Sequence, residues 1–179
     1  QKPVEADVVI GVPDSGVVAA IGYSEESKIP YSMGLVRSKY MGRSFILPDQ
    51  NLREQAVKLK LNPMRHVIAG KRVILVDDSL VRGTTAKKLI QLLREAGAKE
   101  VHFRLASPMV KSECFFGVDI SSKEELIASK LSVDEICKVI NADSLDFLSL
   151  DNQRKILGGD QYCDGCFTAN YPLDDIERV

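Results

Sequence analysis

Residues 73–85, VILVDDSLVRGTT, constrain this chain more than any other segment. Four apolar residues, Val73 to Val76, lie between Lys71-Arg72 and Asp77-Asp78 and predict a short buried strand. Downstream, Ala86, Leu89, Ile90 and Leu93 fall at i, i+3, i+4 and i+7, which predicts an amphipathic helix, and Gly97 stands where a C-terminal cap belongs. The turn between them holds Asp77, Asp78, Ser79, Val81, Arg82, Gly83, Thr84 and Thr85. In an open α/β sheet such a turn faces the crevice beyond the carboxyl ends of the strands. Backbone N–H groups there, with the helix N-terminus behind them, favour an anion. Gly83 permits close approach, and the threonine hydroxyls can donate hydrogen bonds. Two carboxylates would repel an anion, so they fit something neutral or cationic beside it, such as sugar hydroxyls or a hard divalent cation. The competing reading is a capped helix after a strand, because acids and threonines also serve as caps.

The rest of the chain repeats the strand–helix alternation. Residues 6–12 (ADVVIGV) predict a buried strand ended by Pro13-Asp14-Ser15-Gly16, residues 17–28 a helix, and residues 31–37 a second strand. Residues 38–45 read as a flexible loop and 50–61 as a helix. Residues 101–106 predict a strand stopped by Pro108, 123–129 and 133–141 short helices, and 144–148 a last strand. The expectation is an α/β fold with a doubly wound, mainly parallel sheet over residues 1–150, followed by a C-terminal segment, 151–179.

Charge narrows the function. The net charge is −1, which removes any global bias toward nucleic acid. From Arg37 to Arg72, however, nine Lys or Arg stand against two acids, so a local +7 is balanced by −8 elsewhere. That distribution suits a local anionic partner, and equally a solvated helix face. No apolar run approaches the roughly 20 residues that span a bilayer, and the first residues lack a signal-peptide layout. These features exclude a membrane partner from the expectation and point to a cytoplasmic protein. Cys163 and Cys166 form a C-x-x-C, a spacing that lets two thiolates share one metal or cluster. Cys114 follows a predicted strand, and Cys137 sits among apolar helix residues. Composition alone permits a four-cysteine zinc site.

The string VILVDDSLVRGTT resembles the signature of the phosphoribosyltransferases. ADVVIGVPDSGVVAAIGY, SKYMGRSFILPDQNLRE, REAGAKEVHFRLASP and GVDISSKEELIAS extend the likeness over nearly the whole chain to the glutamine phosphoribosylpyrophosphate amidotransferase family. The resemblance implies a type I phosphoribosyltransferase sheet and the making of 5-phosphoribosylamine, the first committed step of purine synthesis. It implies that Asp77, Asp78, Ser79, Val81, Arg82, Gly83, Thr84 and Thr85 bind the ribose phosphate, with Asp14 and Ser15 on the pyrophosphate side. It implies Mg²⁺ at Ser15, Asp77 and Asp78; Ser15 also reads as a helix N-cap. Arg37, Lys39, Tyr40 and Arg43 lie on the basic stretch, where a closing loop could neutralise pyrophosphate; surface charge is the alternative, above all for Lys39. It implies a [4Fe–4S] cluster on Cys114, Cys163 and Cys166, with the fourth ligand upstream of this chain. Cys137 matches no ligand position, and zinc ranks second.

The family further implies a glutaminase half N-terminal to this chain, a homotetramer, purine nucleotide inhibitors, and a plastid location if the source is a plant. The expectation for this chain is no glutamine-dependent activity. No proton acceptor is assigned: neither His66 nor His102 sits in a catalytic context. Two rivals remain, a salvage phosphoribosyltransferase for free bases and a purine-repressor-like sensor of phosphoribosyl pyrophosphate. The first needs a base-recognition hood and the second a winged-helix segment.

Overall fold

The computed structural model describes residues 3–38, 61–118 and 123–172. In chain order these form β1 (Val8–Gly11), α1 (Gly16–Ser27), β2 (Leu35–Arg37), β3 (Leu61–Pro63), α2 (Arg65–Ile68) and β4 (Arg72–Asp77). There follow α3 (Thr84–Glu95), β5 (Glu100–Leu105), α4 (Val133–Ile140), β6 (Ser144–Phe147), α5 (Leu150–Leu157) and α6 (Gly165–Thr168). Strands β1, β4, β5 and β6 make one parallel sheet in the order β1-β4-β5-β6.

Strand alternation divides the sheet into two unlike faces. One row runs Ile10, Leu75, Phe103, Leu145 across all four strands. With Leu89, Ile90 and Leu93 of α3 and Ile136 and Ile140 of α4, it forms the main core. On the other face Val9, Ile74 and Val76 pack with Ala20 of α1. That row turns polar farther along, where Ile74 is followed by His102 and Ser144. His102 is buried, and its two ring nitrogens meet Ser144 Oγ at 2.9 Å and Glu100 Oε2 at 3.2 Å. Burial and the nearby Arg104 guanidinium push its pKa down. A buried, hydrogen-bonded strand histidine whose pKa is pushed down serves the sheet and is no candidate proton acceptor.

Helix ends follow local chemistry. Ser132 and Glu135 close a reciprocal capping box on α4, and Asn141 ends that helix in the left-handed region. Ser149 caps α5 through the Asn152 N–H. The α3 helix starts instead from Gly83, at φ +79°, with no side-chain cap.

Several expectations need correction. The strand expected over 31–37 is two pieces: Tyr31 makes a single bridge to Val9, and Leu35–Arg37 pairs antiparallel with Leu61–Pro63. Gly34 separates them; a Cβ there would lie 2.1 Å from Ile10 Cδ1, so the chain presses on the core at that point. Leu61 therefore belongs to a strand and not to the end of a helix, whereas residues 50–60 and 39–45 lie outside the described residues. The helix expected over 123–129 is two 3₁₀ turns, Lys123–Glu125 and Ile127–Ser129, because Leu126 between them is extended and fully buried. Helices α2, α5 and α6 had no counterpart in the sequence reading. The segment after residue 150 folds back on the main body: the N–H groups of Lys111 and Ser112 both donate to the Cys166 carbonyl.

Candidate functional site

The α1 helix, which follows β1, covers one face of the sheet, and α3, which follows β4, covers the other. Adjacent strands whose helices leave on opposite sides open a crevice at their carboxyl ends, the switch point where ligands bind in such sheets. The structure places both predicted loops there. The β1 loop and the β4 tip are in direct contact: Val12 N–H donates to the Val76 carbonyl at 2.9 Å. Gly16 allows this approach. A Cβ on Gly16 would lie 2.5 Å from the Val76 oxygen and 3.0 Å from Asp77 Cα. The sequence reading treated Gly16 only as a loop residue, since nothing local reveals the backbone facing it.

A cavity of about 370 Å³ opens over the β4–α3 turn and is lined by Asp77, Asp78, Ser79 and residues 80–86. Arg82, Thr84 and Thr85 are exposed and Gly83 is buried. The alternative that these residues merely cap α3 finds no support, because no side chain caps it. Asp78 N–H donates to Asp77 Oδ1 at 2.9 Å, and Ser79 Oγ donates to Asp78 Oδ1 at 3.0 Å. Burial, with Asp78 close by, pushes the Asp77 carboxyl up to about 6. The pair is short of positive charge, the condition a hard cation relieves. Ser15 is exposed at the start of α1 and makes no side-chain cap, so the capping alternative fails for it as well. Asp14 is tied to Arg37 at 3.2 Å. Lys39, Tyr40 and Arg43 lie outside the described residues.

The sequence reading missed Glu125 and Leu126, which also line the cavity. They reach it from the end of the first 3₁₀ turn and the extended residue after it, with Glu125 43 residues from Arg82 in sequence, and no local pattern announces that. Ile127 N–H donates to the Val81 carbonyl at 2.9 Å and fixes this turn to the loop.

Three cysteines share one neighbourhood. Cys114 and Cys166 pack with Val81 and Phe167 against buried Val110 and Leu126. Burial raises the Cys166 thiol, as do Cys114 and Cys163 nearby. Among the described residues, no three His, Cys, Asp or Glu side chains converge as a metal site. Electrostatic influence between these thiols reaches farther than a ligand bond. Cys137 is placed apart, on α4 against the main core, and its thiol donates to the Ala142 carbonyl at 3.3 Å.

Comparison with known proteins accounts for this arrangement. The phosphoribosyl transferase domain matches residues 1–116. The chain belongs to the phosphoribosyltransferase family. It is 57% identical to amidophosphoribosyltransferase 1, chloroplastic, of Arabidopsis thaliana, covering 99% of this chain and 32% of that protein. It is 52% identical to the amidophosphoribosyltransferase of Methanocaldococcus jannaschii, covering 100% of this chain and 38% of the other. Among solved structures, it resembles the glutamine phosphoribosylpyrophosphate amidotransferase of B. subtilis complexed with ADP and GMP, at 53% identity and a TM-score of 0.85. That likeness covers 94% of this chain and 38% of the B. subtilis chain. The chain thus spans about a third of the length of these relatives. No helix among the described residues of this phosphoribosyltransferase chain is long and apolar enough to cross a membrane.

Proposed function

We propose that this chain is the phosphoribosyl pyrophosphate-binding half of an amidophosphoribosyltransferase, which joins ammonia drawn from glutamine to the sugar and releases pyrophosphate. The observation that carries the reading is the β4–α3 turn at the switch point, where an acid pair meets an uncapped helix start. The 5′-phosphate sits on the backbone of residues 81–85 with Thr84 and Thr85. Asp77 and Asp78 face the ribose hydroxyls. Asp14, Ser15 and Arg37 take the pyrophosphate side, and Lys39, Tyr40 and Arg43 are assigned to pyrophosphate on their sequence alone.

Mg²⁺ fits this donor set. Asp77, Asp78 and Ser15 would hold it, and two carboxylates completed by water and substrate oxygens match its usual coordination. When bound, it supplies positive charge against the departing pyrophosphate. The chain's own residues position C1 for attack by ammonia and exclude water, so positioning and electrostatics carry the chemistry. We assign Cys114, Cys163 and Cys166 as three ligands of a [4Fe–4S] cluster, supported by the packing of Cys114 with Cys166 and the nearness of Cys163 to Cys166, and the remote Cys137 gives a four-cysteine zinc site no support. A glutaminase half, a homotetramer, purine nucleotide feedback and a cytoplasmic or plastid location accompany the same reading.

The test is pyrophosphate release from phosphoribosyl pyrophosphate by the 179-residue chain with Mg²⁺ and ammonium. Ammonium-dependent release that disappears in Asp78→Asn supports the reading. Release that requires a purine or pyrimidine base in place of ammonium overturns it in favour of salvage.

A further inference from the structure

Arg82 is the only cationic side chain among the described residues that line the phosphate cavity, and it is already engaged. Its guanidinium Nη2 is hydrogen-bonded and ion-paired to Glu125 Oε2. Both side chains are about half exposed, 55% and 45%, so the pair stands at the mouth of the cavity and not beneath it. Among the described residues lining the cavity, Glu125 is also the third carboxylate, with Asp77 and Asp78. It is not a loose surface acid. Its turn is anchored by the Ile127 N–H to Val81 carbonyl bond, by buried Leu126, and by the Lys123 N–H bond to Glu113 Oε1 at 2.9 Å.

An exposed ion pair contributes little to stability. An acid held against the one cation that the described residues bring to this cavity is therefore poorly explained as a device for stability. Resting on the phosphoribosyl pyrophosphate reading above, we propose that Glu125 is an electrostatic gate and positioning residue for the phosphate loop. It holds Arg82 at the cavity mouth and opposes anions that arrive without a cation. A phosphate group must take Arg82 from Glu125, so weak or cation-free anions are rejected while a cation-neutralised ligand enters. The pair sets specificity by charge, and no bond is made or broken.

The test uses ribose 5-phosphate as the probe, with the 179-residue chain in the presence of EDTA. Binding is measured by titration calorimetry at low and high salt. A carboxylate at about 8 Å from a phosphate dianion in a solvated mouth changes affinity roughly fivefold at low ionic strength. Glu125→Gln and Glu125→Ala should each bind about fivefold tighter than the parent in low salt, with the gain shrinking at high salt. Arg82→Gln should bind more weakly, and the gain from Glu125→Gln should be smaller in an Arg82→Gln background, because part of it acts through Arg82. A merely structural ion pair would show neither the salt dependence nor this non-additivity. Unchanged or weaker binding in both Glu125 variants, in samples with the parent's circular dichroism, overturns the gate. Failure of the parent chain to bind ribose 5-phosphate or phosphoribosyl pyrophosphate under any cation condition overturns the site reading itself, and the gate with it.

Discussion

Replacing Asp77 with Asn should stabilise the metal-free fold while abolishing ligand binding. Asp77 ends β4, half-buried, and burial with Asp78 alongside lifts its carboxyl from 3.8 to about 6. At about 1.36 kcal/mol per pKa unit, this shift has a ceiling of about 3 kcal/mol, and partial exposure reduces it to about 1–2 kcal/mol. The sign follows from the direction. The unfolded carboxyl ionises at lower pH than the folded one, so the folded state binds more protons between about pH 4 and 6. Stability therefore falls as pH rises through that window and stays low above it. Asparagine is neutral at every pH, and its carbonyl still accepts the Asp78 N–H bond. In EDTA at pH 8, Asp77→Asn should melt about 2–8 °C above the parent. The difference should narrow as pH is lowered from 6 toward 4. Adding Mg²⁺ at pH 8 should raise the parent's melting temperature and leave the variant's unchanged. An equally or less stable variant at pH 8, or a gap that widens on acidification, would refute the reasoning.

Gly16→Ala places a methyl 2.5 Å from the Val76 oxygen, against backbone that cannot swing aside, and should cost about 2–3 kcal/mol in chemical denaturation while disrupting both loops. Gly83→Ala meets the flexible Ile127 tip at 2.8 Å and Ile140 Cγ2 in ordinary contact but sits at φ +79°, so about 1–2 kcal/mol is expected, with a larger loss in ribose 5-phosphate affinity by calorimetry. Phe103→Ala, at the centre of the sheet's apolar row, should lose about 3–5 kcal/mol in a urea melt. Serine at Cys114, Cys163 or Cys166 should remove iron and visible absorbance from reconstituted protein that contains this chain and the fourth ligand, whereas Cys137→Ser should retain both.

The parts of the site legible in the sequence are those built from contiguous residues. Val73 to Val76 form a continuous apolar run and the helix behind them carries a period-3.6 signal, so β4, α3 and the turn between them fall where expected. The acid pair and Gly83 lie inside that one string, and their chemistry could be read there. Gly16 and Glu125 were not legible, because each acts on a surface distant in sequence: the carbonyl of Val76 for one, the guanidinium of Arg82 for the other. The split at Gly34 was hidden for the same reason, since Ile10 imposes it from across the chain. Helix α5, LDNQRKIL, is not legible because it is short and mostly polar, and its apolar Ile156 and Leu157 stay exposed.

Direct binding of phosphoribosyl pyrophosphate to the β4–α3 turn is the most pointed measurement. Calorimetric titration with Mg²⁺ at pH 8 should give one site per chain. Asp78→Asn, and Gly83→Ala to a lesser degree, should weaken it, while Cys137→Ser should leave it intact. One-site binding that survives Asp78→Asn and Gly83→Ala unchanged would place the ligand elsewhere and contradict the assignment of this turn.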